Sequence, residues 1–88
     1  MSDNDTQKIR DIVDVLGGIG NVYAVEPCVT RLRFEVVDPT IVDASRLRQP
    51  LCFGASVVGT AVQVIVGPAA DRLADSFSEV FGATPNGS

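Results

Sequence analysis

Cys28, Arg31 and Arg33 are the residues best suited to chemistry, and they stand together in Cys28-Val29-Thr30-Arg31-Leu32-Arg33. A thiol attacks as its thiolate, and fixed positive charge close by favours that anionic form. Two guanidinium groups, three and five residues on, supply such charge. Their planar forks of donors also match the oxygens of a phosphoryl group, so the same pair suits both a free thiolate and a phosphorylated cysteine. Backbone N–H groups at Val29 and Thr30 can add a small anion nest. The chain has no histidine. Covalent chemistry at Cys28 therefore rests on an activated nucleophile or on a partner protein that brings its own base.

Competing chemistries fit less well. A phosphatase or arsenate reductase loop of the Cys-x5-Arg kind needs an arginine six residues after its cysteine; Phe34 follows Cys28 at that distance, and Val58 follows Cys52. With no histidine and no Cys-x-x-Cys, a zinc site would have to combine two thiolates with carboxylates, and no metal is expected. Cys52 follows Pro50-Leu51 in an apolar context and reads as a small buried hydrophobe. A net charge of -4 argues against a nucleic-acid binder. The middle of the chain is nonetheless basic, because Arg31, Arg33, Arg46 and Arg48 are four of its seven cations.

These side chains need a scaffold, and 88 residues allow one small domain over 1–88, with an ordered core at about 5–82. Ile9, Ile12, Val13 and Leu16 recur at helical spacing, with Asn4 or Asp5 to cap the start and Gly17-Gly18 to stop the helix. Residues 21–25 read as a strand that Pro27 ends, which leaves Cys28 in a connection. From Arg31 to Val37 the alternation puts Leu32, Phe34 and Val36 on one face and Arg31, Arg33 and Glu35 on the other, with the two arginine Cβ atoms about 7 Å apart. In isolation that polar face is also an ordinary solvated one, with Arg33 paired to Glu35 or to a cross-strand carboxylate.

Asp43 to Arg48 is expected to form a second, short helix with Ala44 and Leu47 inward. A third strand over 51–58 and a fourth over 61–66 flank a Gly59-Thr60 turn. Gly67-Pro68 opens a last helix whose stripe includes Leu73, Phe77 and Phe81, Gly82 ends it, and a frayed tail follows from Ala83. The order α-β-β-α-β-β-α implies an α+β open-faced sandwich, a four-stranded antiparallel sheet with three helices on one face.

Cys28-x-Thr30-Arg31-Leu32-Arg33 before an alternating strand, followed by Val62-Gln63-Val64-Ile65-Val66-Gly67-Pro68, resembles the enzyme IIB domain of the bacterial phosphoenolpyruvate-dependent sugar phosphotransferase system. The glucose and N-acetylglucosamine type is the nearest, and the likeness spans roughly Ile9 to Phe81. The resemblance implies a phosphocysteine carrier. Cys28 would accept a phosphoryl group from a phosphohistidine of a IIA protein and pass it to a sugar carried by the membrane IIC permease. Arg31 and Arg33 match the arginines around the phosphate, and Thr30 and Gln63 match positions lining the site. No cofactor is implied. The expected place is the cytoplasm, at the inner face of the membrane through IIC, as a monomer in isolation. The polar, acidic start Met1-Ser2-Asp3-Asn4-Asp5 and the lack of an apolar run of about 20 residues agree with that place. A non-catalytic regulatory or protein-binding module with the same fold is the alternative.

Overall fold

Helix α1, Asp3–Val15, buries Ile9, Ile12, Val13 and Val15 and leaves its polar residues outward. Asn4 and Asp5 lie inside its first turn instead of capping it. Its end is a Schellman motif: the Gly18 amide donates to the Val13 carbonyl at 2.9 Å and the Gly17 amide to Asp14 at 3.1 Å. Gly17 adopts φ 103°, and a Cβ there would meet Ile41 Cδ1 at 2.7 Å, so both conformation and space call for glycine. The computed structural model describes residues 3–82, and the tail expected from Ala83 lies outside them.

Strands β1 (Val22–Cys28), β2 (Arg31–Val36), β3 (Gly54–Val58) and β4 (Ala61–Ile65) form one antiparallel sheet in the order β1-β2-β4-β3. The bulge between Val22 and Ala24 inserts Tyr23 and lets Val22 and Val25, three apart, both face the core. β2 and β4 are central and alternate as their sequences require: Leu32, Phe34, Val36, Val62 and Val64 are fully buried. Helix α2, Ala70–Phe81, packs on α1 and on the same face of the sheet. Its Phe77 meets Phe34 edge to face at 6.4 Å and Phe81 at 5.1 Å. Fully burying an aliphatic or aromatic side chain of this size contributes roughly 1.5–3 kcal/mol.

Three further expectations are corrected. β1 does not stop before the cysteine; Pro27 pairs with Leu32 and Cys28 is the last strand residue. Proline is admitted because β1 is an edge strand, where its missing N–H can face outward. The third strand starts at Gly54, not at Leu51.

The third correction is to the helix count, which among the described residues is two, with four short 3-10 turns, and not three. Residues 43–48 hold only the 3-10 turn Ala44–Arg46, which buries Leu47 and leaves Ala44 exposed. Local bonds take the place of helical ones there. The Asp43 amide donates to the carbonyl of Val15, and its carboxylate accepts from Ser45 Oγ at 2.6 Å. So short a segment lacks the length that offsets helix nucleation.

Candidate functional site

Strand pairing brings the site together. Cys28 and Arg31 are direct cross-strand partners at the end of a two-residue hairpin, so their side chains leave the same face with Cβ atoms about 5 Å apart. Across β2, Arg31 also opposes Ile65, while Arg33 stands between Glu26 and Gln63. The uncovered face thus carries Cys28, Arg31 and Ile65 in one row and Glu26, Arg33, Gln63 and Ser56 in the next. Arg31 Nη1 bridges the rows by donating to Gln63 Oε1 at 3.1 Å.

The hairpin turn is held in an uncommon conformation. Val29 has φ 57°, a left-handed backbone that a β-branched residue rarely adopts and that costs about 1–3 kcal/mol. What holds it is next door: the Thr30 carbonyl accepts from the amides of both Val66 and Gly67, at 2.9 and 3.0 Å, fastening the turn to the end of β4. Val29 is 88% exposed, and Cys28 and Thr30 are exposed beside it.

Gly67 is a positioning residue that the Gly67-Pro68 signal announced only as a helix start. Its φ is 72°, its amide holds Thr30, and a Cβ would meet the Phe53 ring at 2.9 Å. Phe53 itself is 62% exposed. Nothing in its sequence context marks it as a neighbour of the hairpin, because the contact depends on strand register.

Arg33 is employed differently from Arg31. Its Nε and Nη2 both lie on Glu35 Oε2, at 3.1 and 3.0 Å, and Glu35 Oε1 accepts from Thr60 at 3.3 Å. That is the ion pair foreseen for an ordinary solvated strand face. The structure therefore gathers Cys28, Arg31 and Gln63, with Val29 and Thr30 in the turn, and sets Arg33 one row back. A shallow cavity of about 360 Å³ beside Arg33 is bordered by Glu26 and Glu35 and so offers little to an anion.

Cys52 is buried away from this face, and burial pushes its thiol pKa up against the opposing pull of the Gly54 backbone and the Lys8 charge. Among the described residues, no three of His, Cys, Asp and Glu converge as metal ligands would.

Residues 10–43, which contain the whole hairpin, match the family model described as phosphotransferase system, EIIB. Over 74 residues the chain is 41% identical to the PTS system N-acetylglucosamine-specific EIIB component of Streptomyces coelicolor, covering 84% of this chain and 96% of that protein. The chain belongs to the phosphotransferase system EIIB family. The fold of this EIIB chain is also that of one domain of the PTS system IIabc component from Clostridium difficile. The two superpose with a TM-score of 0.73 over 96% of this chain and 90% of the other, at 22% sequence identity. No helix among the described residues of this EIIB chain is long and apolar enough to cross a membrane.

Proposed function

We propose that this EIIB chain is a phosphocysteine carrier in which Cys28 accepts a phosphoryl group from a phosphohistidine of a IIA protein and delivers it to a sugar moving through IIC. The observation that carries the reading is the register that sets Cys28 directly opposite Arg31, itself bonded to Gln63, on the uncovered face of the sheet. In the first step the Cys28 sulfur attacks phosphorus as the N–P bond breaks, leaving the imidazole on IIA. In the second a sugar hydroxyl oxygen attacks, the S–P bond breaks and the thiolate is restored. The hydroxyl proton passes to a base outside this chain, which has no histidine.

Phosphoryl transfer asks chiefly for alignment and for charge stabilisation. Arg31, the direct cross-strand partner of Cys28, is the cation placed for that task. The Val29 and Thr30 amides, which take no acceptor among the described residues, add donors at the turn. Arg33 joins only by loosening its hold on Glu35. The sugar is of the glucose or N-acetylglucosamine class, supported by the specificity named for the Streptomyces relative. The chain works as a monomer, without a cofactor, in the cytoplasm against the membrane face where IIC sits.

The deciding experiment is mass spectrometry of the chain after incubation with phosphorylated IIA. One phosphoryl group is expected on Cys28, kept in Cys52→Ser and lost in Cys28→Ser. A phosphoryl group elsewhere, or an active Cys28→Ser variant, overturns the reading.

A further inference from the structure

A groove of about 690 Å³ lies between the first turns of α1 and the chain at 46–51, on the helical side of the sheet and away from Cys28. Its size falls in the range of small-molecule sites, roughly 300–1,000 Å³.

Its charge is opposite to that of the molecule. Lys8, Arg46 and Arg48 line it against one carboxylate, Asp11, a local +2 in a chain of -4. The carboxylate is partly occupied, since Asp11 accepts from Gln7 Nε2 at 2.9 Å. Arg46 reaches Asp14 only at 4.0 Å, and among the described residues neither Lys8 nor Arg48 has an ion-pair partner. Three cations delivered by two independent segments repel one another unless an anion joins them, and Lys8 is half-buried, where screening by water is reduced. The cations come from two separate segments, α1 and the chain at 46–48, and line one open groove. The amide side chains of Gln7 and Gln49 supply donors and acceptors for hydroxyl groups beside the cations.

We propose that this groove binds a small phosphomonoester with a hydroxyl-bearing body, of the size of a hexose phosphate, its phosphate held by Lys8, Arg46 and Arg48 and its hydroxyls by Gln7 and Gln49. The site stands apart from Cys28 and does not depend on the carrier reading.

The test is a titration of the isotope-labelled full chain, followed by amide NMR at constant ionic strength, with glucose 6-phosphate, glucose, inorganic phosphate and phosphatidic acid vesicles. Saturable shifts at residues 4–11 and 46–51 with glucose 6-phosphate, absent with glucose and weaker with inorganic phosphate, are expected. Arg48→Gln should weaken that binding at least tenfold while leaving the spectrum of the sheet unchanged, and Cys28→Ser should bind as the wild type does. Shifts that do not saturate, that centre on residues 28–33, that are matched by inorganic phosphate, or that come only with vesicles overturn the proposal.

Discussion

Arg31 and Arg33 carry the same charge two residues apart, yet their surroundings separate them. Arg31 spends one donor on a neutral amide oxygen, that of Gln63, and keeps the rest of its fork free at the Cys28 end of the sheet. Arg33 is fastened to the carboxylate of Glu35. Replacing Arg31 by lysine retains the charge but removes the fork, so it should slow phosphoryl delivery to sugar by about a hundredfold, the equivalent of about 3 kcal/mol for one lost contact in a preorganised site. Arg33→Lys should cost less than tenfold. Rapid-quench measurement of sugar phosphorylation checks both, and a wild-type rate in Arg31→Lys removes that residue from the site.

At the scale of elements, the hairpin is as reliable as the ends of the segments that hold it. Asn21 is the residue that ties them: its Nδ2 donates to the Leu16 carbonyl at 2.8 Å and to the Asp38 carbonyl at 3.0 Å, and its Oδ1 accepts from the Asp38 amide at 2.8 Å. The end of α1, the start of β1 and the turn after β2 are thereby bracketed around one buried side chain. Asn21→Ala leaves these backbone groups without partners and should lower stability by about 3 kcal/mol, read as a lower urea midpoint. Phosphoryl acceptance by the folded fraction should survive, because the Cys28 turn is anchored separately through Thr30, Val66 and Gly67. An unchanged midpoint would mean that the bracket contributes nothing.

For the whole molecule, the two helices of the described residues cover one face of a four-stranded sheet and leave the other uncovered. The cover is incomplete at β3, where Ala55 and Val57 lie on the helical side and are still exposed, because no helix forms over 43–48. Stability should also depend on alkaline pH through Cys52. Burial favours its neutral thiol, so the folded state holds that proton more tightly than the unfolded chain does. The resulting stabilisation is fully present below the ordinary thiol pKa of about 8.5 and is lost as pH rises through the higher folded value. Urea melts from neutral to alkaline pH should therefore fall more steeply for the wild type than for Cys52→Ala, and parallel curves would exclude the linkage.

Much of this architecture could be read from local pattern. The alternation from Arg31 to Val37, the helical spacing of Ile9, Ile12, Val13 and Leu16, the Gly59-Thr60 turn and the Gly67-Pro68 start all appear in the structure, since each reflects how a short segment divides itself between water and core. The stretch from Cys28 to Arg33 was likewise visible as a thiol beside cations. Tertiary structure alone decided that Pro27 could stay in a strand, because only the strand order makes β1 an edge. It also decided which arginine is free, because the Arg31 bond to Gln63 joins residues 32 positions apart, and the Arg33 ion pair with Glu35 was one of two options, the other lying across strands. Residues 43–48 had helical spacing, but the Asp43 amide donates to the carbonyl of Val15, a distant partner that a local pattern does not weigh. Register and partner choice are properties of distant segments meeting, and periodicity within one segment does not contain them.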